Sequence, residues 1–218
     1  MGDCKQGAGT LNPADNLRGM PMSRRFVLLA PIVALSLAGC GLNSIPTAEE
    51  NVNAKWAQVQ SEYQRRSDLI PNLVSTVKGY AKQESSVLIE VTQARASAGS
   101  VKLSAEDLSD PAKVKAFSDA QARVTAAIIP LQRLQEAYPD LKSNQNFLTL
   151  QSQIEGTENS ILVARKDYNE SVQAYNTRIR TFPDAIGAKI FYGAKPKTPF
   201  AADSGAQAAP KVDFGNNG

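Results

Sequence analysis

Two stripes of residues, each stepping alternately by four and three, constrain this chain more than any other feature. The first runs Val52, Trp56, Val59, Tyr63, Arg66, Ile70, Leu73, Val77, Tyr80, Glu84, Val87, Val91, Ala94 and Ala98. The second runs Phe147, Gln151, Ile154, Glu158, Ile161, Arg165, Tyr168, Val172, Tyr175, Ile179 and Phe182. This heptad period keeps one face of a helix against partners in a left-handed bundle or coiled coil. A continuous helix over the first stripe would be about 70 Å long. Between the stripes lies a less regular pattern, Val114, Phe117, Val124, Ile128, Leu131, Leu134 and Tyr138, opened by Asp110-Pro111 as N-cap and first helical residue. Pro130 is expected to kink this second helix and Pro139 to stop it. Thr47 is the expected N-cap of the first helix, with Glu49 and Glu50 in its first turn, and Ser143 or Asn144 that of the third. The spacing thus predicts an all-α, up-and-down antiparallel bundle of three long helices, with no sheet.

Local rules conflict at Arg65-Arg66-Ser67-Asp68-Leu69-Ile70-Pro71-Asn72-Leu73-Val74. Pro71 should break a helix, yet the stripe passes it in phase. A kinked continuous helix satisfies the phase. A tight reversal at Ser67 to Asn72, with Asp68 as N-cap and Pro71 in the first turn of a new helix, satisfies the proline and gives four helices. Arg66 and Glu84 are the charged members of the first stripe. Either they reach out from the bundle rim, or they pair with Gln151, Glu158 and Arg165 of the third helix and fix its register.

The chain contains no histidine and two cysteines, Cys4 and Cys40. Histidine-dependent hydrolase triads, zinc sites and Glu-x-x-His metal bundles are thereby excluded, so no metal or other cofactor is expected. The net charge of +3 is concentrated early. Four basic and two acidic residues precede Cys40, and the remainder is nearly balanced. Without a basic stripe or interleaved aromatics, nucleic acid is not an expected partner.

Residues 22–39 read as a signal peptide: Ser23-Arg24-Arg25, an apolar run from Phe26, then Leu37-Ala38-Gly39-Cys40. The run to Gly39 is 14 residues long and holds Pro31, too short for a membrane span of roughly 20 residues. Its last four residues resemble the bacterial lipobox, which implies cleavage between Gly39 and Cys40 and lipid attachment at Cys40. In a Gram-negative host, Gly41 after the cysteine would favour the periplasmic side of the outer membrane. Segment 1–21 reads as a spurious or disordered extension, 40–47 as a lipidated tether, 48–192 as the bundle and 193–218 as a disordered tail. Tyr168-Asn169 recurs one heptad later as Tyr175-Asn176, a pattern that suits packing tyrosines with wet hydroxyls.

An ordered set of segments then resembles the LemA family. It comprises Trp56, Arg65 to Val74, Val77-Lys78-Gly79-Tyr80-Ala81, Glu136 to Leu141, Asn146-Phe147, Thr157-Glu158-Asn159, Ala164-Arg165, Tyr168-Asn169, Tyr175-Asn176 and Phe182-Pro183. The resemblance covers about Asn51 to Tyr192. It implies a membrane-attached helical bundle, commonly of four helices, with no established biochemical activity. Many members look as if an N-terminal transmembrane helix holds them, a place the lipobox takes here.

Two functional readings follow. In the first, the chain is a non-enzymatic, lipid-anchored envelope protein that scaffolds or binds an envelope or membrane protein. Arg65, Arg66, Asp68, Pro71 and Asn72 are then the candidate partner-binding residues, because a bent helix exposes backbone groups beside fixed charges. The blander alternative makes Arg65 and Asp68 a local ion pair. In the second reading, an envelope enzyme acts on cell-wall or lipid substrates through helical carboxylates such as Glu84, Glu136 and Glu158, which would have to cluster in a cleft.

Overall fold

The computed structural model describes residues 43–201. The signal segment, Gly39, Cys40 and residues 202–218 lie outside them. Four long helices form the body: α1 (Ser44–Tyr80), α2 (Ser85–Ser100), α3 (Pro111–Ala137) and, after the short α4 (Pro139–Lys142), α5 (Gln145–Arg178). A 3-10 turn, Glu106–Ser109, precedes α3. The short α6 (Asp184–Gly187) and a π-helical turn, Ala188–Tyr192, follow α5. Among the described residues there is no strand.

The helices run up, down, up, down. Lys55 pairs with Asp167 near one end of α1, and Tyr80 accepts a hydrogen bond from Asn144 at the other, so α1 and α5 are antiparallel along their length. Tyr63 stacks edge-on against Phe117, and Tyr138 meets Glu84, so α3 runs alongside α1. Between them α2 returns antiparallel, with Arg95 beside Ser67.

Pro71 lies inside α1, so the helix is continuous through it and the alternative reversal at Ser67 to Asn72 does not occur. The first stripe is nevertheless two helices, because the chain turns at Ala81 to Glu84. The reason is the length of the partner. With α5 beginning level with Tyr80, a straight continuation to Ala98 would project about 27 Å beyond the bundle. Folding back instead buries Leu88, Val91 and Ala98 against the far half of α1 and α3. Gly79, in the last turn of α1, lowers the local helix preference where the turn falls.

Of the caps expected for the first, second and third helices of the sequence pattern, two form and one does not. The Asp110 carboxylate accepts from Ala112 N and Lys113 N ahead of α3, and Asn144 Oδ1 accepts from Phe147 N ahead of α5. The expected cap at Thr47 is not used: α1 begins at Ser44, and the Thr47 hydroxyl donates back to Asn43 O. Pro46 does not prevent this, since the first backbone N–H groups of a helix have no intrahelical partner to lose. Pro130 is likewise contained within α3.

Two apolar clusters fill the interior. The near one, toward Ser44, holds Val52, Trp56, Phe117, Tyr168 and Tyr175, and the far one holds Ile70, Leu73, Val91, Leu131 and Phe147. Because α2 covers only the far half, something else must cover the near half. Residues 193–201, expected as the start of a disordered tail, do so as an extended strap running antiparallel to α5. Phe200 is buried against Trp56 and Tyr168. Thr198 N donates to Leu108 O, and Lys197 pairs with Glu49.

The Tyr-Asn repeat holds this strap. Asn176 both donates to Lys197 O and accepts from Lys197 N, and Asn169 does the same with Phe200. Tyr168 donates its hydroxyl to Thr198 O at 3.0 Å. Seven residues of helix rise about 10.5 Å, and three residues of extended chain span about 10 Å. The heptad-spaced asparagines therefore match strap residues three apart, each carboxamide standing in for one rung of a β-ladder.

Candidate functional site

The turn of α1 from Tyr63 to Pro71 touches every other long helix. Arg66 is 1% exposed and sits between the two apolar clusters. Its Nη1 donates to Glu158 Oε1 of α5 at 2.8 Å and to Thr125 Oγ1 of α3 at 2.7 Å. Its Nη2 donates to the side chain of Gln121 at 2.6 Å and to the Gln121 carbonyl at 3.2 Å. The guanidinium also lies over the Tyr63 ring, 5.1 Å from its centroid. An arginine cannot neutralise itself when buried, so the charge is tolerable only because it is paired and hydrogen-bonded.

One turn later the proline creates a second junction. Without an N–H on Pro71, the carbonyl of Ser67 loses its ordinary helical donor. Arg95 of α2 supplies the replacement, its Nε donating to Ser67 O at 2.7 Å. Proline thus does not break α1. It frees an acceptor through which α2 is fastened, while Arg66 fastens α3 and α5.

Clefts flank the junction. One of about 480 Å³, between α1 and α2, includes Gln60, Gln64, Arg66, Arg95 and Lys102 in its wall. One of about 250 Å³, between α3 and α5, includes Arg66, Thr125, Glu158 and Arg165. A third, of about 560 Å³ toward the far end, is formed mainly by Val74, Leu88 and Ile89 with Lys78 and Lys82.

The five candidate binding residues therefore separate. Arg66 is interior and held by α3 and α5, whereas Arg65, Asp68, Pro71 and Asn72 are exposed on α1. The local pairing of Arg65 with Asp68 is replaced by a hydrogen bond from Gln64 Nε2 to Asp68 at 2.8 Å. Rim positions do not describe Arg66, and the polar pairing is with Glu158. Glu84 instead accepts from the Tyr138 hydroxyl at 3.3 Å, and Arg165 caps the strap by donating to Ala201 O and covering the Phe200 ring. Of the three carboxylates considered for catalysis, Glu84 and the exposed Glu136 both lie toward the far end, near Tyr138, and Glu158 at mid-bundle; of these clefts, only the one between α3 and α5 is bordered by any of them, by Glu158. Among the described residues no acidic or cysteine cluster suited to a metal ion occurs.

Protonation is perturbed away from this junction. Burial pushes the Tyr168 hydroxyl well above the usual phenol range, and burial with the nearby Glu49 charge pushes Tyr175 up to about 12. Hydrogen bonds from Lys113 and then Ser104 lower Asp107 to about 2. None of these groups is among the hydrogen-bond partners of Arg66.

Sequence reasoning missed Gln121, Arg95 and the strap-binding asparagines. Gln121 had a signal, since it fills the vacant four-three position between Phe117 and Val124. Arg95 had none, because nothing local in the sequence distinguishes it from an ordinary surface arginine of a helix.

The fold and this junction define an antiparallel four-helix bundle pinned by a buried ionic layer. The chain belongs to the LemA family, which it matches over residues 55–214. It is 24% identical over 140 residues to Protein LemA of Metamycoplasma hominis, covering 64% of this chain and 60% of that one. It is also 24% identical over 157 residues to the magnetosome proteins MamQ 1 and MamQ 2 of Paramagnetospirillum magneticum, covering 65% of this chain and 58% of each of those. The chain thus spans about three-fifths of the length of these relatives.

Proposed function

We propose that the protein is a non-enzymatic, membrane-associated scaffold of the cell envelope, anchored by lipid on Cys40 and binding an envelope or membrane protein through the exposed surface of its bundle. The observation that carries the reading is the state of Arg66. This buried charge is engaged by Glu158, Gln121 and Thr125, which ties α1, α3 and α5 into one body around a structural ion pair. The anchor is supported by sequence: the lipobox-like Leu37-Ala38-Gly39-Cys40 ends four residues before α1 begins. Among the described residues no helix is long and apolar enough to cross a membrane, so attachment through Cys40 does not compete with a span in the bundle. The names of the magnetosome relatives associate them with a membrane-enclosed body, which agrees with such a role. The exposed Arg65, Asp68, Pro71 and Asn72 form the proposed binding stripe, with the far-end cleft of Val74, Leu88 and Ile89 as its apolar complement.

The alternative of a wall- or lipid-directed enzyme would need two carboxylates in one cleft, and none of the clefts described above is bordered by two of Glu84, Glu136 and Glu158, which weighs against it. The test has two parts. Cys40→Ala should abolish lipid labelling and release the chain from membranes; retention of labelled lipid would refute the anchor. In-cell crosslinking should give one specific adduct that Asp68→Lys with Asn72→Lys removes while the bundle still folds. An unchanged adduct would refute the binding stripe.

A further inference from the structure

The end of the bundle where α1 begins carries an apolar patch that the interior does not use. Phe182, Ile190 and Phe191 are 82%, 69% and 68% exposed, Ile186 is 53% exposed about one helical turn before Ile190, and Phe182 lies in the turn that leads into this segment. These side chains project from the turns that follow α5, a segment that is firmly seated. Ala188 packs into the near cluster, and Ala194 N donates to Ala188 O. Asp184 accepts from the Ser44 hydroxyl at 2.7 Å, while Arg178 donates to Ser44 O at 3.1 Å and lies 3.7 Å from Asp184. The patch and the first residue of α1 are thus one rigid corner.

Large exposed aromatic and aliphatic groups gathered in this way mark an interaction surface. Two observations choose its occupant. First, Ser44 follows Cys40 by four residues, a stretch that spans at most about 14 Å even fully extended. Second, the charge of the segment that carries the patch is one-sided: residues 178–195 hold Arg178, Arg180, Lys189 and Lys195 against a single acid, Asp184, which is already held by Ser44 and Arg178. Apolar groups interspersed with lysine and arginine suit the boundary between acyl chains and anionic headgroups.

The geometry points to a membrane-binding foot: Phe182, Ile186, Ile190 and Phe191 insert into the lipid interface, with Lys189 and Arg180 on anionic headgroups, and α1 rises from the membrane. This rests on the Cys40 anchor only for proximity, since the patch has its own chemistry. A lipid anchor at Cys40 tethers the chain at one point and leaves the bundle free to turn about it, so a second contact of this kind fixes the orientation of the bundle.

The experiment uses the full chain reconstituted into vesicles of phosphatidylethanolamine and phosphatidylglycerol, with or without bromine on the acyl chains. Phe191→Trp reports on the foot, and Leu162→Trp, at a position 63% exposed on the side of α5, serves as control. The native Trp56 is interior and gives a constant background. The expected result is a blue-shifted emission from the indole at position 191 that brominated lipid quenches, while the indole at position 162 is unaffected. Equal quenching in the two variants, or none in Phe191→Trp while the protein floats with the vesicles, overturns the foot. A shielded indole at position 191 in the absence of lipid overturns it in favour of a second copy or a protein partner. Lipid labelling of Cys40 is scored on the same preparations, so failure of the anchor and failure of the foot are read separately.

Discussion

Replacing Arg66 by alanine is the most direct test of the ionic layer. The substitution removes four hydrogen bonds and the partner of Glu158. Breaking a buried ion pair from one side costs about 3–5 kcal/mol, much of it from stranding the remaining charge. Here the Glu158 side chain is 29% exposed and can rehydrate, which places the loss near the low end, about 3 kcal/mol. For a domain of this size each kcal/mol moves Tm by roughly 2–4 °C, so Arg66→Ala should melt about 6–12 °C lower. Glu158→Gln keeps an acceptor and loses only charge assistance, so it should cost less, about 1–2 kcal/mol. The assay is thermal unfolding of the full chain in detergent micelles, followed by far-ultraviolet circular dichroism. A shift below about 2 °C for Arg66→Ala would refute the ionic layer as a stabilising element. A double-mutant cycle gives the companion result: Arg66 and Glu158 should couple, whereas Glu84 and Arg165 should be additive within about 0.5 kcal/mol.

Further outcomes follow from the other contacts. Arg95→Ala should destabilise by about 1–2 kcal/mol by leaving Ser67 O unpaired, and Pro71→Ala should recover much of that loss by restoring an N–H; additive effects in denaturant titrations would exclude this pairing. Asn169→Ala should abolish hydrogen-exchange protection of the Phe200 amide while leaving that of α2 intact, and retained protection at Phe200 would contradict the ladder-like clamp. Asp107 should titrate near pH 2 by NMR, and Lys113→Ala should move its midpoint back toward 3.8. Since its folded value is depressed, the contact contributes fully above pH 3.8 and is lost as pH falls through about 2; a midpoint unmoved by Lys113→Ala would show that Lys113 is not the cause.

The helical period was sufficient to identify the bundle and most of its seam, though not the fate of Phe182, which lies beyond the end of α5 and is 82% exposed, and cap chemistry identified Asp110 and narrowed the next cap to Ser143 or Asn144, because period and cap chemistry are local. It was not sufficient to find the turn at Ala81. That turn depends on where α5 begins, a length relation between segments more than 60 residues apart. Pro71 shows the same limit from the other side. The sequence displays a missing N–H, but only the packed structure shows the Arg95 donor that makes it harmless. Arg66 was identifiable as a seam charge, and Glu158 as a seam charge of another helix. Their meeting, unlike that of Glu84 with Arg165, depended on the relative sliding of α1 and α5, which a heptad pattern leaves free by whole turns. The strap was hidden because its composition is that of a loop, and its order comes from asparagines on a distant helix.

That strap also sets an order of assembly. Trp56 and its neighbours are made early, yet their cover includes Phe200, which is translated after every helix of the bundle. The end of the bundle beside Ser44 is therefore the first to be made and the last to close. The far half, from Arg66 outward, has all its parts once α5 has appeared. A chain truncated before Lys197 would carry a complete far half and an open, aromatic near half, so nine residues of extended chain work as the clasp of the whole body.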